Sequence, residues 1–103
     1  MIKNQVDGVI ETVRYDANGR LSLIRVYERH GPTYSDLILL SRDQLIEKLR
    51  NKKKFYVGKR IRLLASTFEL ASPVFLSHRA GMEFITDRQG SATGDSLPDA
   101  PLF

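Results

Sequence analysis

The sequence of 103 residues contains no cysteine. This absence excludes a disulfide framework, a thiolate zinc site, an iron–sulfur cluster and a cysteine nucleophile. No apolar run approaches the roughly 20 residues that a transmembrane helix needs, and residues 1–7 lack the apolar stretch of a signal peptide. We therefore expect a cytoplasmic protein that does not enter a membrane.

Motifs that carry enzymatic chemistry are also lacking. The chain has no HExxH, GxSxG, GxxxxGK[ST] or GxGxxG sequence. Its two histidines, His30 and His78, have no local pattern of acidic partners, as is usual for surface histidines. Acidic residues in the predicted strands are expected to pair with basic neighbours. We predict a protein that is not an enzyme and that needs no cofactor or metal.

The composition is that of a single globular domain, with 42% hydrophobic and 27% charged residues. Its charge is unevenly distributed. Residues 1–81 hold 15 Lys and Arg against 8 Asp and Glu, or +7, and residues 82–103 hold 1 against 4, or −3. We predict a small β-barrel domain at 1–81 and a mostly mobile acidic tail at 82–103.

Alternating apolar residues and turn formers predict five strands, at 5–15, 20–29, 33–40, 59–65 and 68–77. The last strand is expected to bend or split at Pro73, because proline cannot donate a hydrogen bond to a neighbouring strand. Ser41 and Gln44 have the spacing of a capping box, which predicts a helix over about 42–51.

Three strands, one helix and two further strands is the element order of the OB fold, in which the helix closes one end of the barrel. We therefore predict a mainly β protein with a small five-stranded OB-like barrel, the helix lying between strands three and four. The alternative is another small barrel, or a half-open sheet with the helix packed across it.

The strongest functional signal is a basic segment at 48–62, which has eight positive charges and no acidic residue. Lysines that neutralise phosphates, beside aromatic rings that stack on bases, are typical of proteins that bind single strands. We predict phosphate contacts from Lys52, Lys53, Lys54, Lys59, Arg60 and Arg62, extended by Arg25, and stacking by Tyr27, Tyr34, Phe55 or Tyr56. In the alternative interpretation, the two aromatic residues of the segment close the core and the lysines form a solvated face.

A second signal is the acidic, proline-containing segment 95–103, which ends in Pro-Leu-Phe. Its layout resembles the tails of bacterial single-stranded-DNA-binding proteins, which follow an OB barrel and a linker and end in Pro-Phe. That resemblance implies a docking peptide with Asp99, Pro101, Leu102 and Phe103 as its contacts. The alternatives are a frayed end or a segment that folds back onto the basic surface.

These observations predict a non-enzymatic module that binds single-stranded DNA or RNA with little sequence specificity. The alternative is a protein-interaction or oligomeric structural module that uses a sheet edge and the Pro-Leu-Phe peptide. A homodimer through an unpaired edge belongs to that alternative.

Overall fold

The computed structural model describes residues 6–31, 33–61, 68–87 and 94–103, and it is mainly β with one helix, as predicted. In chain order the elements are β1 (Gly8–Tyr15), β2 (Leu21–His30), β3 (Thr33–Tyr34), β4 (Ile38–Ser41), α1 (Arg42–Arg50), β5 (Phe55–Arg60), β6 (Phe68–Pro73), β7 (Phe75–Arg79) and β8 (Met82–Thr86).

Six of these strands form one sheet in the order β3-β2-β1-β5-β6, with β4 also paired to β2. The strands β1 and β2 are an antiparallel hairpin, whereas β1 and β5 pair in parallel over only three residues of each strand. Among the described strands, neither β3 nor β4 pairs with β6. The sheet is therefore open, and the closed five-stranded barrel that we expected is not present in the described residues.

The predicted strands differ from the observed ones in two places and agree in a third. The strand expected at 33–40 is interrupted, so that β3 and β4 pair with different parts of β2. The strand expected at 59–65 begins earlier, at Phe55, and residues 62–67 lie outside the described part of the chain. The strand expected at 68–77 is split after Pro73, as predicted.

The helix α1 begins with the predicted capping box. The amide of Gln44 donates to Ser41 Oγ at 3.2 Å, and the amide of Ser41 donates to Gln44 Oε1 at 2.9 Å. Leu45 and Ile46 are buried against the sheet. With nine residues, α1 is far too short to cross a membrane, and no other helix occurs in the described ranges.

The main core lies between α1, the β7–β8 hairpin and one face of the six-stranded sheet. Its largest member is Phe55, which is 2% exposed. A side chain at Gly8 would overlap the ring of Phe55, so this position requires glycine. Val9 and Tyr27 pair directly across β1 and β2 and are buried, but they do not belong to this main core. The sheet therefore has buried residues on both of its faces.

The structure differs from the expectation of a mobile tail at 82–103. The strand β8 pairs with β7 through a turn at Ala80 and Gly81, whose φ angles of +53° and +78° suit a type I′ hairpin. Farther along the chain, Leu97 is 1% exposed. The described residues beyond 81 therefore belong to the domain.

Asp95 provides the physical reason for this difference. Its side chain is fully buried and accepts hydrogen bonds from Arg42 Nε at 2.7 Å, Leu21 N at 2.9 Å and Ile85 N at 3.0 Å. Burial by itself raises the pKa of Asp95, but the hydrogen bonds from Arg42 and then from the two amides outweigh it and hold the pKa below its ordinary value. Asp95 is therefore ionised in the folded protein.

Replacing Asp95 with Asn is expected to destabilise the protein by about 3 kcal/mol, because it leaves the partly buried Arg42 without its counter-charge. The free energy of unfolding from urea titration measures this effect. Asp99→Asn, at an exposed position, is the matched control and should have little effect. An Asp95→Asn protein as stable as the wild type would contradict the assigned role.

The same interaction predicts a dependence on pH. Because folding lowers the pKa of Asp95, its contribution is fully present above the ordinary value of 3.8 and is lost as the pH falls through the folded value. The wild type should therefore lose more stability below pH 3.8 than Asp95→Asn does. Equal losses in the two proteins would argue against this assignment.

Candidate nucleic-acid interface

The three consecutive lysines lie where α1 ends. The helix closes with a Schellman motif, in which Lys52 N donates to Leu49 O at 3.0 Å and Lys53 N donates to Lys48 O at 3.1 Å. Lys52 has a φ of +64°, in the left-handed region that glycine usually occupies at this position of the motif. A positively charged residue thus occupies a position at which the backbone favours glycine.

The side chains of Lys52, Lys53 and Lys54 are exposed and border a groove of about 450 Å³. The groove is otherwise largely apolar, and Tyr56, Phe75, Leu49, Pro73 and Leu76 contribute to its lining. We call this feature the lysine groove. It combines three cations with two half-buried aromatic side chains.

Most other cations of the basic segment are already paired. The pairs are Lys48 with Glu28 at 2.7 Å, Lys59 with Glu69 at 3.5 Å, and Arg50 with Glu83. The hydrogen bond from Arg50 holds the pKa of Glu83 below its ordinary value, so this pair remains ionised. Within the described part of the chain, Lys52, Lys53 and Lys54 form no ion pair. The folded protein therefore leaves these three charges available to a ligand.

Two of the predicted stacking residues are buried. Phe55 belongs to the core, so the expectation that it stacks on a base is wrong. Tyr27 is 8% exposed. The guanidinium carbon of Arg60 lies 4.5 Å from the centroid of its ring, and the ring centroid of Phe68 lies 5.2 Å from it. Burial is the largest cause of the raised pKa of Tyr27, and the negative charge of Glu11 is the next. The Tyr27 hydroxyl donates to Glu11 Oε2 at 3.3 Å.

The other two predicted aromatic residues are half-buried. Tyr34 lies with its ring centroid 4.7 Å from that of Phe68, and its hydroxyl donates to Val6 O at 3.1 Å. Burial raises the pKa of Tyr34. Tyr56 lines the lysine groove, and the structure thus brings it together with the three lysines.

Phe75 also lines the lysine groove, although it is not among the residues predicted from the sequence. Val74 N donates to Phe55 O at 2.9 Å, and this bond brings the start of β7 beside β5. The predicted split at Pro73 marked this position as a bend, but no local pattern in the sequence places it next to the lysines.

The remaining predicted residues lie elsewhere. Arg25 contacts the ring of Phe103, with its guanidinium carbon 4.1 Å from the ring centroid. Asp99 and Pro101 are exposed, and Leu102 is 69% exposed. Arg62 lies outside the described residues.

Comparisons of the chain with protein-family models, with curated proteins and with solved structures found no match. Across residues 6–31, 33–61, 68–87 and 94–103, no group of three or more His, Cys, Asp or Glu side chains is arranged to hold a metal ion.

Replacing Lys52 with Gly is expected to stabilise the protein by up to about 1 kcal/mol, because it removes the cost of a left-handed backbone at a residue with a side chain. Thermal or urea unfolding measures the change. Lys53→Gly is the matched control, since Lys53 does not have a positive φ, and it should be neutral or destabilising. A less stable Lys52→Gly protein would contradict the strain argument.

Proposed function

We propose that this protein binds single-stranded nucleic acid at the lysine groove without catalysing a reaction. The observation that supports this proposal is the co-location of three unpaired lysines with Tyr56 and Phe75 around one groove. Lysine ammonium groups contact phosphates, and aromatic rings stack on unpaired bases. A duplex keeps its bases stacked internally and can use only the lysines.

The proposed mechanism has little base specificity. Lysines contact the phosphate backbone, which is the same for every sequence, and every base has a face on which a ring can stack. Lys59 is 72% exposed and has only a long ion pair, so it can add a further phosphate contact. Arg60 is engaged with Tyr27 and Phe68 and is expected to act mainly through that cluster.

We also propose that this protein holds a strand as OB-like modules do, through charge and stacking. Such binding needs cations and rings beside one another, and the lysine groove has both although the described sheet is open.

Replacing Lys52, Lys53 and Lys54 together with Gln is expected to weaken binding strongly and to flatten its salt dependence. Each phosphate contact to a single strand contributes about 0.7 to the slope of log K against log salt, so the slope should fall in magnitude by about 2. Fluorescence anisotropy of labelled oligothymidine over a salt series gives both quantities.

Arg20→Gln is the matched control for this charge removal, because Arg20 is an exposed cation outside the lysine groove. It should leave the salt slope unchanged, and circular dichroism should show that the triple variant remains folded. An unchanged slope in the triple variant would place the nucleic-acid contacts elsewhere.

Replacing Tyr56 with Leu tests stacking separately from charge. Loss of one base–ring stack costs about 1–3 kcal/mol, so single-strand affinity should fall at least fivefold while duplex binding is unchanged. Tyr56→Phe keeps the ring and should keep the affinity. Equal losses in both variants, or none in either, would exclude stacking by this ring.

A protein-interaction or homodimeric module is the second candidate. Among the described strands, β4 has a neighbour on only one side, and its residue Leu39 is 54% exposed. An exposed apolar residue on an unpaired strand edge supports this alternative. Sedimentation of the wild type and of Leu39→Lys would test it, because a dimer formed through this edge should dissociate in the variant.

A further inference from the structure

Two arginines contact a single aromatic ring near the end of the sequence. The guanidinium carbons of Arg14 and Arg25 lie 4.7 and 4.1 Å from the ring centroid of Phe103, and Arg14 Nε donates to Phe103 O at 3.0 Å. Within the described residues, neither arginine forms an ion pair with an Asp or Glu side chain. We call Arg14 and Arg25 the arginine pair. Two positive charges therefore surround a ring that carries no charge.

Residues 101–103, which we call the tip, are attached less firmly than the segment before them. Val13 N donates to Pro101 O at 2.9 Å, and Phe103 N donates to Val13 O at 3.1 Å. By contrast, the preceding segment is anchored by the buried side chains of Asp95 and Leu97. The tip can therefore leave the sheet while the anchor stays in place.

A cavity of about 390 Å³ lies beside the tip. Thr12, Lys59 and Pro101 contribute to its lining, together with the acidic residues Glu11, Glu69 and Asp99. The hydroxyl of Thr12 is buried and has no hydrogen-bond partner within the described part of the chain. Because Thr12 pairs directly with Arg25 across β1 and β2, an unused hydrogen-bonding group lies next to the arginine pair.

We propose that the arginine pair is a binding site for one nucleotide of a single strand, and that Phe103 occupies this site until the strand displaces the tip. The base stacks on the guanidinium groups in place of the Phe103 ring, and its phosphate accepts the hydrogen bond that Arg14 Nε donates to Phe103 O. This inference rests on the proposed function and adds a second contact region to it.

The location of the arginine pair is compatible with a continuous binding path. Gly8, at the start of β1, donates to Lys54 O at 3.2 Å, beside the lysine groove. Arg14 lies six residues farther along the same strand, or roughly 20 Å away. A strand of several nucleotides, within the usual site size for small β domains, can therefore contact both regions.

Phe103→Ala should bind labelled oligothymidine roughly tenfold more tightly than the wild type, because the ring that competes for two cation–π contacts is removed. Adding Arg25→Gln to Phe103→Ala should abolish this gain. Leu102→Ala is the matched control, since Leu102 is in the tip but is largely exposed, and its affinity should equal that of the wild type.

Amide hydrogen exchange of the wild type gives a second readout that does not depend on a variant. Oligothymidine should deprotect the amides of Val13 and Phe103, whose acceptors are Pro101 O and Val13 O. The amide of Ser96, which donates to Ile85 O at 2.9 Å in the anchor, should remain protected.

The outcomes separate this inference from the proposed function. Equal affinities of the wild type and Phe103→Ala, with unchanged protection of Val13, would overturn the inference and leave binding at the lysine groove intact. Binding by neither protein, even at low salt, would overturn both proposals. Tighter binding by Phe103→Ala that persists after Arg25→Gln would also overturn the inference, because the gain would then not depend on the arginine pair.

Discussion

The buried carboxylate of Asp95 connects parts of the protein that are far apart in the sequence. It joins the first turn of α1 through Arg42, the start of β2 through Leu21 and the β7–β8 hairpin through Ile85. A buried charge is stable only when its lost hydration is replaced, and here one guanidinium and two amides replace it. This arrangement makes the residues beyond β8 part of the domain and directs them back along β1.

Folding also decides which positive charges of the chain are available to a ligand. Lys48, Lys59 and Arg50 form ion pairs within the protein, whereas Lys52–Lys54, where the helix ends, have no ion-pair partner among the described residues. The arginine pair lies toward the far end of β1, where both exposed guanidinium groups contact the ring of Phe103. The net charge of +4 therefore does not describe the surface that a polyanion would meet, because cations held in close ion pairs are less available to phosphates than unpaired ones.

Several sequence predictions concern interactions between neighbours and agree with the structure. The capping box of Ser41 and Gln44 and the split at Pro73 are examples. The assignment of Phe55 to a stacking surface was wrong because an aromatic residue beside lysines gives the same local pattern whether its ring faces solvent or the core. The ring faces the core because Gly8, 47 residues earlier, leaves room for it. The parallel pairing of β1 with β5 was likewise not apparent, since short strands carry no signal for their distant partners.

By itself, the sequence determined a mainly β chain with one capped helix and a basic segment that contains aromatic residues. These properties depend on residues within about four positions of one another, where backbone geometry and side-chain reach decide the outcome. Only the tertiary structure decided that, in the described part of the chain, the sheet stays open and Lys52–Lys54 remain unpaired, and that Phe103 contacts Arg25. Each of these depends on which distant groups pack together, and packing is set by the burial of the whole core and by the partners of Asp95.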